Sequence, residues 1–182
     1  MGVTKLSRRK FIATTGGVTF AIAGYPLFGK FLNEEEGVKS EQVTAWVHIE
    51  NTGKITIYNP ASEMGQGSMT ALAALVAEEM DADWSQVRIE HSPIEPSVYG
   101  RGWGRGRGRG GSMITVGSYT VRGYYANLRH AGAQVRYVLR SSAADKWGVP
   151  LNEVTTEPGQ VLHTSSGRSA SFGEIVDYMK VP

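Results

Sequence analysis

The chain has no cysteine among its 182 residues. Disulfide bonds, thiolate zinc sites and cysteine-ligated iron–sulfur clusters are therefore excluded for this chain. Any redox chemistry must use a cofactor that needs no protein sulfur, and electrons must leave through another chain or another cofactor. The length is typical of one domain, and the apolar fraction of 41% is ordinary for a globular protein.

Acidic residues are absent from the first 30 positions, which hold five of the 19 basic residues. The rest of the chain carries 14 basic and 17 acidic side chains, a net charge of −3. The formal net charge of +2 for the whole chain therefore comes from its first residues. A mildly acidic body does not favour a general nucleic-acid-binding or membrane-binding role.

A long apolar run is also missing. The uncharged stretch from Phe11 to Gly29 is interrupted by threonines, glycines and Pro26, whereas a transmembrane helix needs about 20 predominantly apolar residues. Because this stretch follows the pair Arg8-Arg9, residues 1–30 are predicted to be a twin-arginine signal that exports the protein to the periplasm. An uncleaved signal would keep the protein associated with the inner membrane. A plain membrane anchor and an ordinary buried helix are the alternatives.

The remaining chain is predicted to be a linker over 31–42 and one structured unit over 43–182. β-Branched and aromatic runs predict strands, and apolar residues at three- and four-residue spacing predict helices. The predicted order is ββ-α-β-α-ββ-α, and hairpins with interposed helices favour the α+β class over a doubly wound sheet. The predicted elements are hairpins over 43–58 and 154–164, helices over 68–80, 118–147 and 171–179, and a strand over 87–91.

Several details refine these elements. Val121, Tyr125 and Leu128 begin the apolar stripe of the longest predicted helix. Ser171 followed by Glu174 predicts a capping box at the last helix. The histidines of the strands and helices are predicted to be structural or surface residues rather than metal ligands, namely His48, His91 and His130.

A glycine-rich loop separates the first predicted hairpin from the first helix and reads Glu63-Met64-Gly65-Gln66-Gly67. Glycine permits positive φ and lets the backbone approach a ligand closely. A helix start offers free N–H groups to an anion or an oxo group, and glutamine can donate and accept hydrogen bonds at once. Taken alone, so short a loop favours a structural interpretation.

The run from Tyr58 to Ala77 around this loop resembles the first molybdopterin-binding segment of the xanthine dehydrogenase/aldehyde oxidase family. The resemblance is strongest to isoquinoline 1-oxidoreductase β subunits and bacterial periplasmic aldehyde dehydrogenases. It implies a molybdenum–molybdopterin cofactor, expected in the cytosine dinucleotide form. It also implies that Gln66 hydrogen-bonds an oxo ligand of the molybdenum and that Gly65 and Gly67 lie against the cofactor.

Residues 100–111 alternate arginine with glycine around Trp103. Read alone, this resembles an RGG-type nucleic-acid-binding segment. A loop reaching an anionic cofactor or partner and a plain flexible loop are the alternatives, and no nucleic acid is expected in an exported, otherwise acidic chain. The resemblance does not explain the four alternating arginines, which are Arg101, Arg105, Arg107 and Arg109.

The stretch from Gly117 to Arg122 precedes the longest predicted helix and resembles the family's Gly-Ser-x-x-x-Arg stretch. Hydroxyl and N–H groups at a helix start suit the pyrophosphate of a dinucleotide cofactor. The resemblance therefore implies cofactor contacts from Gly117, Ser118 and Arg122.

The resemblance covers the opening quarter of a family member, so the chain is expected to be an incomplete large subunit. No catalytic residue and no metal-ligating side chain is expected within it, because the family's catalytic glutamate belongs to a later segment. The implied activity is oxidation of an aldehyde or N-heterocycle. The implied partners are the remaining large-subunit segments, an iron–sulfur small subunit and a cytochrome c acceptor.

Two rival interpretations remain. A truncated, non-catalytic periplasmic binding or structural remnant would keep the fold without the cofactor. An RGG-type nucleic-acid binder would be cytoplasmic. The chain stops at Val181-Pro182 without a polar tail, which is compatible with a split reading frame.

Overall fold

The computed structural model describes residues 17–21, 45–101 and 111–179. Most of the predicted signal segment, the predicted linker over 31–42 and the arginines Arg105, Arg107 and Arg109 lie outside these residues. The described chain forms seven strands and four α-helices with short 3₁₀ turns between them.

The main sheet has four strands in the order β1-β2-β3-β4. Strands β1 and β2 are antiparallel, β2 and β3 form the predicted antiparallel hairpin, and β3 and β4 are parallel. The strands span Gly17–Ala21 (β1), Ala45–Glu50 (β2), Ile55–Asn59 (β3) and Val87–His91 (β4). Strand β1, which lies within the proposed signal segment, and the parallel pairing of β3 with β4 were not predicted.

Helix α1 (Ser68–Met80) connects β3 to β4 and has the predicted bounds. A short helix, α2 (Pro96–Tyr99), follows β4 and was not predicted. The longest helix, α3 (Thr120–Trp147), begins two residues later than predicted, because Gly117 and Ser118 both have positive φ. Gly148 ends α3 in the left-handed conformation, as its position after Trp147 predicts.

A second, three-stranded antiparallel sheet comprises β5 (Thr155–Glu157), β6 (Gln160–His163) and β7 (Arg168–Ser171). The hairpin of β5 and β6 was predicted, whereas β7 was not. Helix α4 (Phe172–Val176) is shorter than predicted but has the predicted capping box. The mixed strands and helices confirm the α+β class.

The core lies between the main sheet, α1 and α3. It contains Trp46, Ile57, Leu72, Leu128 and Leu139, each almost fully buried. The predicted stripe of α3 was wrong at its start, because Tyr124 is buried there while Val121 and Tyr125 are exposed. Of these three side chains, Tyr124 is the one whose ring packs against Trp46, with ring centroids 6.1 Å apart.

The histidines also occupy structural places. His48 is a buried side chain of β2, and burial lowers its pKa against the opposing effect of Glu50 and Glu90. His91 and His130 are exposed. Over residues 45–101 and 111–179, no group of three or more His, Cys, Asp and Glu side chains is arranged to hold a metal.

Candidate cofactor-binding site

The glycine loop lies between the end of β3 and the start of α1, and its residues 64–67 are exposed. Gly65 and Gly67 have φ of 90° and 75°, which favours glycine at both positions. A Cβ added to either residue would meet no atom within 4 Å. The backbone conformation, rather than crowding within the chain, therefore calls for glycine, and the main chain is open to a ligand.

Glu63 occupies the N–H groups that the sequence analysis expected to be free. Its carboxylate accepts hydrogen bonds from the backbone N–H of Gly65 at 2.7 Å, Gly67 at 3.0 Å and Met69 at 2.9 Å. The N–H groups of Met69 and Gly67 are the main causes that lower the pKa of this carboxyl. The expectation of a free anion seat at the start of α1 was wrong, because the loop's own carboxylate fills it.

Gln66 makes three hydrogen bonds within the loop. Its Oε1 accepts from the N–H of Met64 at 2.6 Å, and its Nε2 donates to the carbonyl of Ser62 at 2.8 Å and to Oγ of Ser68 at 2.7 Å. Both amide hydrogens are therefore in use. A hydrogen bond from Gln66 to a ligand requires the exchange of one of these two donations.

A second exposed turn precedes α3, where Gly117 and Ser118 have φ of 63° and 52°. A serine in this region costs conformational energy, so the surrounding contacts must hold it there. The start of α3 has no side-chain cap and no acidic residue in its first turn. At α1 the Glu63 carboxylate accepts from the N–H of Met69, whereas the first turn of α3 contains Arg122 and no acidic residue.

Tyr119 lies beside two guanidinium groups at this turn. The central guanidinium carbon lies 4.7 Å from the ring centroid for Arg101 and 4.4 Å for Arg122. Arg122 is exposed, whereas Arg101 is only 1% exposed. Arg101 is therefore buried against Tyr119, whereas the alternatives drawn from the repeat place its arginines in a loop that is flexible or reaches an anion.

The two turns are connected directly. The backbone N–H of Ser62 donates to Oγ1 of Thr115 at 3.0 Å, so the segment before α3 lies against the loop before α1. Residues on both turns were predicted to contact the cofactor, whereas Thr115, which links the turns, was not predicted. Large apolar side chains flank this junction in exposed positions, namely Met64, Ile114 and Val116.

These residues fit a cofactor held by hydrogen bonds and close backbone contacts. They offer open space beside the main chain at Gly65 and Gly67, the exposed residue Gln66, and the exposed Arg122 in the first turn of α3. A pterin dinucleotide that brings its own metal ligands needs this kind of site rather than a cluster of metal-ligating side chains.

The family model described as molybdopterin cofactor-binding domain matches residues 4–181. The chain belongs to this family. This match confirms the resemblance drawn from the glycine loop and supports a molybdenum cofactor. Which residues contact that cofactor stays a prediction.

The curated relatives of this chain include three oxidoreductases. The chain is 39% identical to the isoquinoline 1-oxidoreductase β subunit of Brevundimonas diminuta, over 98% of this chain and 22% of that protein. It is 32% identical to the membrane-bound aldehyde dehydrogenase (pyrroloquinoline-quinone) of Gluconacetobacter polyoxogenes, over 94% and 21%. It is 30% identical to a nicotinate dehydrogenase subunit of Pseudomonas putida, over 76% and 11%.

Two solved structures share the fold. Quinoline 2-oxidoreductase from Pseudomonas putida 86 matches with a TM-score of 0.51 and 22% identity, over 72% of this chain and 15% of that chain. The Cu,Mo-CO dehydrogenase matches with a TM-score of 0.53 and 17% identity over the same shares. The chain thus spans about a fifth of the length of two of these curated relatives. Within the described ranges, no helix is long and apolar enough to cross a membrane.

Proposed function

We propose that this chain is the first molybdopterin-binding segment of a molybdenum hydroxylase large subunit. The observation that carries the proposal is the glycine loop, whose main chain is open at Gly65 and Gly67 and whose Gln66 amide is exposed. The hydrogen bond between Ser62 and Thr115 joins this loop to the turn before α3. We infer from this connection that the two turns bind one extended cofactor.

The proposed roles follow from the geometry of each turn. Gly65 and Gly67 allow the pterin to approach the backbone, and Gln66 hydrogen-bonds the cofactor after releasing Ser62 or Ser68. The exposed residues Gly117, Ser118 and Arg122 bind the pyrophosphate of a cytosine dinucleotide form, where the dipole of α3 adds positive potential. When bound, the cofactor supplies two-electron oxidation of an aldehyde or an N-heterocycle.

The reaction needs groups that this chain does not supply. We propose that a later large-subunit segment provides the catalytic glutamate, and that an iron–sulfur small subunit and a cytochrome c carry the electrons. The pair Arg8-Arg9 and the uncharged stretch behind it support twin-arginine export to the periplasm. The twin-arginine route carries folded proteins, which suits a cofactor inserted in the cytoplasm.

The test compares this chain alone with its complex, formed by co-expression with the remaining large-subunit segments and the small subunit. We expect the isolated chain to give no turnover with an aldehyde or N-heterocycle and a dye acceptor. We expect the complex to contain molybdenum and to release cytidine monophosphate on acid hydrolysis. Robust turnover by the isolated chain, or a folded complex without molybdenum, would contradict the proposal.

Gln66 provides the sharper variant. We expect Gln66→Ala to lower kcat of the complex by about a hundredfold, because loss of one hydrogen-bond donor at a reacting centre has effects of this size. Molybdenum content should stay near that of the wild type. Gln86→Ala is the matched control, because this glutamine is also exposed. It precedes β4 and therefore lies at the start of the parallel strands β3 and β4, whereas the glycine loop follows the end of β3. Equal kcat in the two variants would mean that Gln66 does not contact the cofactor.

A non-catalytic remnant is the second candidate, and one observation favours it. Glu63 and Gln66 satisfy their hydrogen bonds within the loop, so the loop keeps its conformation without a ligand. This candidate requires a stable complex that contains neither molybdenum nor pterin. An RGG-type nucleic-acid binder is disfavoured by the burial of Arg101.

A further inference from the structure

Arg101 is the charged residue that the proposed function leaves unexplained. It is among the largest fully buried side chains of the described residues, and burial of a guanidinium is costly unless specific contacts offset it. Its backbone exchanges two hydrogen bonds with Ser112, at 3.1 and 2.9 Å. Its Nη2 donates to the carbonyl of Ile114 at 2.8 Å.

The aromatic neighbours of Arg101 place it between the core and the turn before α3. Its guanidinium lies 4.7 Å from the ring centroid of Tyr119 and 5.7 Å from that of Tyr124. Tyr124 belongs to the core, where its hydroxyl donates to the carbonyl of Tyr99 at 2.9 Å. A Cβ at Gly123 would lie 2.7 Å from Cδ of Arg101 and 2.8 Å from Cε1 of Tyr119, so the missing side chain makes room for this contact.

All these contacts belong to the segment that leads into α3 and to the core beneath it. Ser118 keeps a positive φ at the centre of that segment, and such a conformation persists only where its neighbours fix it. Ile114 lies before Ser118 and Tyr119 directly after it, and Arg101 contacts both. Arg101 is therefore placed to fix both sides of the turn relative to the core.

We propose that Arg101 is a positioning residue for the turn Gly117–Arg122, acting through the Tyr119 ring and the Ile114 carbonyl. Its importance for the cofactor rests on the function proposed above, whereas its action on the turn does not. Lysine would keep the charge but lose the planar group that stacks on Tyr119 while it donates to Ile114.

The test measures amide hydrogen exchange and molybdenum content of the co-expressed complex. In Arg101→Met we expect exchange at least tenfold faster in peptides covering 112–122, with residues 68–80 of α1 unchanged. We expect molybdenum per folded complex to fall by about tenfold. Arg101→Lys should give an exchange rate and a molybdenum content between those of Arg101→Met and the wild type. If Arg101→Met does not fold, Arg101→Lys takes its place in the test.

Two controls separate positioning from a general loss of stability. Arg88→Met removes an exposed arginine that pairs with Glu90 on β4 and should change neither readout. Tyr119→Leu breaks the ring contact but keeps the hydrogen bond to Ile114, so it should give part of the effect of Arg101→Met. The effects of the two changes should add to less than their sum in the double variant, because both remove the same ring contact. Faster exchange spread evenly over 45–101 and 111–179, wild-type exchange in 112–122, or additive effects in the double variant would overturn the proposal. The exchange measurement decides the role of Arg101 even if the wild-type complex holds no molybdenum, a result that would overturn the proposed function alone.

Discussion

Glu63 holds the backbone N–H groups of the glycine loop, and Gln66 bridges its two sides. The pattern of the loop alone left a structural explanation open, and the resemblance to the family implied the role of Gln66, which stays a prediction. The same pattern missed the role of Glu63, although an acidic residue just before a helix is a known signal for such contacts. Spacing alone did not show that this carboxylate folds back over residues 65–69.

The pKa of Glu63 predicts how the loop responds to acid. Because hydrogen bonds in the folded state lower this pKa, the contribution of Glu63 to stability is present above the ordinary glutamate pKa. It is lost as the pH falls through the lowered pKa. We expect amide exchange of Gly65, Gly67 and Met69, corrected for intrinsic rates, to accelerate over that acidic range. In Glu63→Gln it should be fast already at neutral pH.

Glu174 gives the matched control for this prediction. Its pKa is lowered in the same direction, by hydrogen bonds with Ser171 at the start of α4. Glu174→Gln should therefore affect α4 and leave the amides of residues 65–69 protected. If Glu63→Gln leaves these amides as protected as in the wild type, the carboxylate does not hold the loop.

Among the elements, the packing of α1 against α3 depends on Gly132. Gly132 lies inside the helix predicted over 118–147, where glycine lowers helix propensity. The structure shows an unbroken α3 and a close approach, since a Cβ there would lie 2.6 Å from the carbonyl oxygen of Val76 and 2.7 Å from Cβ of Glu79. Arg129 and Glu79 form an ion pair across the same interface.

Gly132→Ala distinguishes close packing from helix propensity. In an open helix this change would stabilise the protein by about 1 kcal/mol. Here we expect a loss of about 1–3 kcal/mol, because the added methyl group overpacks the interface. Chemical denaturation measures the change in the free energy of unfolding. Ala133→Gly, on the exposed side of α3, is the control and should lower this free energy by about 1 kcal/mol through helix propensity alone. A Gly132→Ala variant more stable than the wild type would show that α1 and α3 do not pack in this way.

The elements were predictable where local patterns are strong. The spacing of Leu72, Val76 and Met80 predicted α1, and the Ser171–Glu174 pair predicted the start of α4. The pairing of β1 with β2 depends on residues far apart in the chain, so no local pattern could show it. The buried face of α3 was misplaced at its start because Tyr124 and Tyr125 are adjacent tyrosines, and only the contact with Trp46 selects the first.

For the whole molecule, the family was predictable from the glycine loop, whereas the junction of its two turns was not. Gly65, Gln66 and Gly67 were named from one motif, and Gly117, Ser118 and Arg122 from another. The hydrogen bond between Ser62 and Thr115 brings these motifs together across 53 positions of sequence. The exposed Met64, at 71%, marks a surface that we expect the remaining large-subunit segments to cover.

The central claim is that the glycine loop lies against the cofactor, and a pair of glycines offers a matched test. Gly67 has φ 75° and ψ 9°, and Gly167, on the turn before β7, has φ 67° and ψ 15°. A Cβ at either would meet no atom of the chain within 4 Å, so alanine should cost both the same backbone strain, about 1–2 kcal/mol.

The deciding measurement is molybdenum per folded complex for Gly67→Ala and Gly167→Ala, made side by side. If a pterin occupies the open space beside Gly67, the Gly67→Ala complex should lose at least nine-tenths of its molybdenum while Gly167→Ala stays near the wild type. Equal molybdenum in the two variants would mean that no cofactor lies against this loop.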